Sequence, residues 1–308
     1  MNMNLREWAL PVYTILMQLS VGVLFLLWLM RTRNRREVEI QILDRIINTP
    51  LSIIGFTVFV SIIGSHFHLS RPLHSFLAVL NFRHSWLSRE IAFTVLFIIT
   101  LYILLYLQGS RPANERLRSL LGWVSISFGM ATIYCMSNIY LLPAQAAWDT
   151  AATVIAFFAT TFFLGAVATT AMLLMDLKYC EVWKPEQVAE RQPVVRRALF
   201  RLVTIAIITL VVIYINSYIQ IAHLRGGDLS AQMSMQLLTQ LYQPLFILRL
   251  LSPLVGITLL GVSSLQLRSP GKQLGELLAP AYISCILVAV GEILGRFLFY
   301  ATHVRTGI

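Results

Sequence analysis

Eight long apolar segments account for almost all of this chain, and that repetition restricts it to one kind of fold. They are Trp8–Met30, Thr49–His66, Glu90–Gln108, Ser119–Leu142, Trp148–Asp176, Arg197–Ala222, Pro244–Gln266 and Glu276–Ala301. Most exceed the ~20 residues that an α-helix needs to cross the hydrocarbon layer. Within lipid each backbone N–H and C=O must be satisfied internally, and an open sheet edge cannot be, so the segments are expected to be helices. Eight crossings and their short connections use up the 308 residues. Residues 1–308 are therefore expected to form a single integral membrane domain, all-α and polytopic, with no separate soluble catalytic domain. The composition agrees: 12% of residues are charged, against roughly 25% in soluble domains.

The net charge of +10 does not point to nucleic acid, because the basic residues lie in the connections, where they set orientation. The first, third, fifth and seventh connections together hold 16 Lys and Arg, among them Arg31, Arg33, Arg35, Arg36, Arg116, Arg118, Lys184 and Arg191. The other connections and the two ends hold 6, and Arg249 and Arg296 fall inside segments. This bias places the odd-numbered connections in the cytoplasm and both termini outside. The first segment reads as an uncleaved span, since its positive cluster follows the apolar run and no small-residue cleavage site is visible. Cys135, Cys180 and Cys285 fit no zinc or iron–sulfur spacing and read as small buried apolar residues.

Three connections stand out. Glu37–Asn48 is amphipathic and is expected to lie on the inner surface before Pro50 opens the second span. Leu177–Arg196 reads as a solvated basic loop. His223–Gln243 reads as a surface helix or docking surface. Gly291 and Gly295, spaced for close helix approach, point to internal packing.

All six histidines, His66, His68, His74, His84, His223 and His303, fall at or beyond the same ends of the segments, and none is mid-span. Around the second connection, His66 and His68 close one span and Glu90 opens the next, with Phe67, Phe82 and Trp86 beside them. A neutral imidazole accepts a proton near physiological pH, and a carboxylate can orient it or take the proton onward. An apolar pocket with a few convergent polar groups suits a lipid-soluble redox substrate. The bland reading is that these are interfacial anchors and a carboxylate at a favourable helix N-terminus. A second group is Glu292 and Arg296, four residues apart on the last span, with Arg249 near the outer end of the seventh. Ionisable groups inside a span usually face a partner or a cavity. An internal ion pair that fixes helix register is the alternative. A haem between two helices usually takes axial histidines from within the spans. Here only a pairing near the outer surface, His66 or His68 with His223 or His303, is open. A haem-b-bearing quinol oxidase subunit, a transporter and a structural anchor without quinol chemistry remain alternatives. No Walker A, G-x-G-x-x-G or G-x-S-x-G motif is present.

These residues also carry a resemblance. The stretches His68-Leu69-x-x-Pro72, Trp86-Leu87-Ser88-Arg89-Glu90-Ile91 and Gly291 to Tyr300 resemble the membrane anchor subunit of the dimethyl sulfoxide reductase family. The opening Glu7-Trp8-x-Leu10-Pro11, with Gln18 and Gly22, fits too, and the likeness runs from end to end. It implies a bacterial inner-membrane anchor that binds and oxidises menaquinol and holds no haem or metal. The electrons pass to an iron–sulfur subunit, and a molybdopterin catalytic subunit completes a heterotrimer for anaerobic respiration. The anchor itself is non-catalytic toward the terminal acceptor, which the resemblance leaves open among S-oxides, N-oxides and selenate. It implies His68 and Glu90 as the residues acting on quinol. His66, Ser70, Pro72, Trp86, Arg249, Glu292 and Arg296 are the expected quinol-binding residues around them. Ser70 stands where the family's motif has glycine, which tolerates backbone angles serine does not.

Overall fold

The structure, a computed structural model, describes residues 5–66, 80–110, 114–267 and 273–304, the side chains at 5–9, 65–66 and 110 excepted. The expected polytopic all-α fold is found: eight helical stretches are long and apolar enough to cross a membrane, and the described residues contain no strand. The helices are α1 Leu5–Asn34, α2 Ile40–His66, α3 Trp86–Ser110, α4 Glu115–Asn138, α5 Ala151–Trp183, α6 Val188–Gly226, the short α7 Leu229–Gln236, α8 Gln243–Gln266 and α9 Leu278–Ala301. A π-helical turn, Leu237–Leu241, joins α7 to α8.

The centre of the bundle is the pair α1 and α5, the two most buried spans. Glycine permits their approach. A Cβ on Gly22 would lie 2.0 Å from the Thr161 carbonyl oxygen, and one on Gly165 would lie 2.6 Å from the Gly22 carbonyl carbon. The two backbones therefore cross in direct contact, the arrangement small residues allow in membranes. Around this pair α2, α3 and α4 pack on the α1 side, and α6, α8 and α9 on the α5 side. Gly291 of α9 rests on Pro253 and Ser252 of α8, and Gly295 on Arg249, so this small-residue pair serves packing within the chain. The outward faces of α3, α6 and α8 carry exposed Ile, Leu and Val side chains such as Ile99, Ile208, Val211 and Leu251, as lipid contact requires.

Two of the connections differ from their sequence reading. No surface helix precedes Pro50: α2 starts at Ile40 and continues through it. Proline is tolerated inside membrane helices because neighbours make good the missing bond. Similarly, Leu177–Arg196 is not a solvated loop. α5 continues to Trp183 and α6 begins at Val188, leaving four residues between them.

Several charges on this basic face are buried pins. Asp44 of α2 takes Arg31 Nε of α1 at 2.7 Å and Arg118 Nη1 of α4 at 2.8 Å, and Arg118 also donates to Gln108 of α3 at 2.9 Å. Asp176 of α5 takes Arg191 Nη1 of α6 at 2.7 Å and the Thr49 hydroxyl of α2 at 2.6 Å. Arg196 bonds the Leu267 carbonyl beyond α8. One layer of ion pairs and hydrogen bonds thus ties α1 to α6 and α8 together.

Candidate functional site

The face opposite these pins holds the polar residues that the spans carry in their other halves. Near it, α5, α6, α8 and α9 line a cavity of about 100 Å3. The aromatic rings of Trp148, Phe157, Phe246 and Phe299 line it, together with Thr160, Asn216, Gln220, Arg249, Glu292 and Arg296. Trp148 and Phe299 stack at 5.2 Å between centroids, and the indole N–H donates to the Phe299 carbonyl at 2.8 Å. That wall is fixed.

All three predicted intramembrane ionisable residues converge here. Glu292 and Arg296 do not bond each other, contrary to the simple ion-pair alternative. Thr160 Oγ1 donates to Glu292 Oε2 at 2.6 Å. Arg296 Nη2 donates to Gln18 Oε1 at 2.9 Å, and Gln18 Nε2 in turn donates to the Phe157 carbonyl at 2.8 Å. The Arg296 guanidinium also lies 3.9 Å from the centroid of the Phe157 ring, a cation–π contact. Arg249 and Arg296 both act electrostatically on Glu292. Glu292 and Arg249 keep part of their surface open to the cavity, whereas Arg296 is 6% exposed. Asn216 donates to the Ala152 carbonyl at 2.9 Å, which fixes its amide, and its Oδ1 is buried without a hydrogen-bond partner among the described residues. The cavity lining therefore holds a carboxylate, a buried amide oxygen without a partner among the described residues, and two guanidiniums between aromatic walls.

Glu90 stands apart. It is buried between α1 and α3, where the Tyr13 hydroxyl donates to it at 2.7 Å, and Thr94 lies 3.3 Å from the same hydroxyl. Trp86, at the start of α3, is edge-on to Tyr134, with the Arg89 guanidinium 4.3 Å over its ring. His68, Ser70 and Pro72 lie outside the described residues, as does the side chain of His66. Of the other histidines, His223 lies 3.3 Å from the Ala146 carbonyl and His303 stacks on Trp148 at 4.6 Å. Among the described residues no three His, Cys, Asp or Glu side chains converge as metal ligands.

Between Glu90 and the cavity stands a pair of tyrosines that sequence reasoning did not assign. The hydroxyls of Tyr140, in the α4–α5 connection, and Tyr300 of α9 are 2.5 Å apart. Burial first, and then the proximity of Tyr300, push the Tyr140 pKa well above its usual 10; Arg296 pulls it down and Glu90 pushes it up. Tyr140 thus stays neutral at any physiological pH and feels charges on both sides. Tyr13, Thr160 and Asn216 were also missed. Their signal is there: each is a polar residue within a predominantly apolar span, and such residues tend to face partners or cavities.

A family model described as "DMSO reductase anchor subunit (DmsC)" matches residues 1–302. Similar proteins include the C subunit of the anaerobic dimethyl sulfoxide reductase of Haemophilus influenzae, 24% identical over 317 residues that cover 100% of this chain and 99% of the relative. The C subunit of the Escherichia coli enzyme is 26% identical over 311 residues, covering 100% and 99%. The Escherichia coli protein YnfH, also of an anaerobic dimethyl sulfoxide reductase, is 24% identical over 309 residues, covering 98% and 97%.

Proposed function

Since the chain belongs to the DMSO reductase anchor subunit family and is a membrane anchor, we propose that it oxidises menaquinol in the α5–α6–α8–α9 cavity. The partners are an iron–sulfur electron-transfer subunit and a molybdopterin catalytic subunit, held as a heterotrimer at the bacterial inner membrane. The chain ends face the periplasm. The observation that carries the reading is the cavity itself, which joins aromatic walls to Glu292, Asn216 Oδ1 and two arginines. A quinol is a flat apolar ring system with two hydroxyl donors, and this lining offers two acceptors.

Glu292 takes one hydroxyl proton, and Asn216 Oδ1 accepts a hydrogen bond from the quinol. Arg249 and Arg296 stabilise the negative charge left on the oxygen, in a site where water is scarce and charge interactions are strong. Loss of that proton makes the ring easier to oxidise. In full, quinol gives quinone, two electrons and two protons, Glu292 taking the second proton after it has passed the first outward. The electrons leave singly to an iron–sulfur cluster of the partner subunit. The separate hydrogen-bonded pairs Tyr140–Tyr300 and Tyr13–Glu90 are the polar steps by which a proton moves toward the outer face, and His68 is the expected outer end. In this reading Glu90 and His68 act in proton release.

The test compares Glu292→Gln and Glu90→Gln in the assembled complex. Menaquinol-linked reduction should fall about 100-fold or more in Glu292→Gln, the usual cost of losing a general base, while dye-linked reduction by the catalytic subunit is kept. Glu90→Gln should slow turnover but preserve binding of a menaquinol analogue. Full quinol turnover in Glu292→Gln, with analogue binding lost only in Glu90→Gln or His68→Ala, would move the site to the outer connection.

A further inference from the structure

The opposite half of the molecule carries a second built groove. It runs between α1 and α6 at the basic face and has a volume of about 380 Å3, within the ~300–1,000 Å3 of small-ligand clefts. Its walls are Leu26, Leu29 and Met30 of α1 and Ala198, Leu202 and Ile205 of α6. Two guanidiniums, Arg33 and Arg201, close one end, and no acidic residue lines it. Both arginines are exposed, and neither forms an ion pair among the described residues. The nearby acids are already engaged: Glu37 pairs with Arg197 at 2.6 Å and Glu115 with Arg35 at 3.7 Å. Arg33 is shared with an adjoining basic hollow that includes Arg35 and Arg36.

We propose that this groove binds an anionic diacyl phospholipid, its phosphate on Arg33 and Arg201 and an acyl chain along the leucines. Depth decides between occupants. Leu26 lies seven residues before Arg33, about 10 Å down the helix axis at ~1.5 Å per residue. The apolar walls therefore extend from the charged level into the hydrocarbon. A water-soluble anion would leave them uncovered, and a zwitterionic lipid would bring its own head-group cation beside the two arginines. Basic clefts between spans at the membrane surface suit acidic lipid head groups. A tightly held lipid here would seal α1 to α6 on the side away from the cavity, and the proposal does not depend on where quinol binds.

The experiment is native mass spectrometry of the purified complex with its partner subunits. It is titrated with phosphatidylglycerol or phosphatidylcholine of identical acyl chains. Each surface arginine is worth about fivefold in acidic-lipid affinity, so the pair predicts roughly 30-fold preference for phosphatidylglycerol. The doubly substituted Arg33→Gln, Arg201→Gln complex should lose that preference. Arg225→Gln, which removes one exposed charge from the other end of α6, should keep it. Equal retention of the two lipids, preference surviving in the double variant, or a groove that retains no lipid because a partner helix fills it would each overturn the proposal.

Discussion

At the scale of single residues, the cavity is built from groups that are costly inside a membrane. Arg296 is affordable there only because Gln18 and the Phe157 ring replace its water. Replacing Gln18 with leucine removes the acceptor and leaves the cation buried. A hydrogen bond to a charged group contributes roughly 1.5–3 kcal/mol. Gln18→Leu should therefore lower the thermal midpoint of the complex and displace the ring wall, read as weaker binding of a menaquinol analogue. Unaltered stability and binding would show that Arg296 has another means of compensation. Asn216 is the complementary case, since its Oδ1 awaits a donor. Asn216→Leu should raise the KM for menaquinol about tenfold, the value of one ordinary hydrogen bond, with kcat changed less. An unchanged KM would remove this amide from the site. Both residues could be noticed in the sequence as polar positions within apolar spans. Their partners could not, because Gln18 meets Arg296 across 278 positions of chain. The sequence pointed to Arg249, Glu292 and Arg296 as one group. It did not show that Glu292 and Arg296 turn away from each other, since i, i+4 spacing permits a pair without requiring it.

At the scale of helices, the charged residues of the basic face have two roles. Their number gave the orientation expected from sequence, and their burial supplies the fastening. Arg31, at 1% exposed, and Arg118 both depend on Asp44, which therefore joins three helices at one point. Asp44→Ala leaves two buried guanidiniums short of their counter-ion, and breaking a buried pair typically costs about 3–5 kcal/mol. The variant should lose most of its detergent-extracted, monodisperse complex. Glu37→Ala, which breaks the exposed pair with Arg197, should change stability by less than about 1 kcal/mol. Equal stability of the two variants would mean that the buried layer is not the fastening. This distinction explains why the α5–α6 connection reads as a loop in the sequence. Hydropathy along the chain treats Asp176 and Arg191 as solvated charges, while in three dimensions they neutralise each other. The same limit hid the early start of α2, because Asp44 is half of a buried cluster and not part of a polar face. Apolar spans, by contrast, need no partner to be recognised, and all eight were legible from length and composition alone.

For the molecule as a whole, the two polar layers face opposite ways, and their division of labour follows from chain direction. If all eight helical stretches cross, both ends lie on one side, together with α7, the Tyr140 connection and the mouth of α3. The proposed quinol cavity lies in the half nearest that side, and the basic fastening and lipid groove lie in the other. If the charge bias sets orientation, the proposed quinol oxidation would release its protons to the periplasm, the side on which the proposed iron–sulfur partner would receive the electrons. Orientation is therefore a mechanistic premise, and it can be measured directly. Gln236→Cys, exposed at the end of α7, should react with a membrane-impermeant maleimide in intact cells. Glu186→Cys, exposed between α5 and α6, should react only after the membrane is opened. Native background is low, because Cys135 and Cys180 are buried and Cys285 lies within α9. The reverse labelling pattern would invert the protein. Protons from the cavity would then be released to the cytoplasm, and Arg33 and Arg201 would meet the outer leaflet.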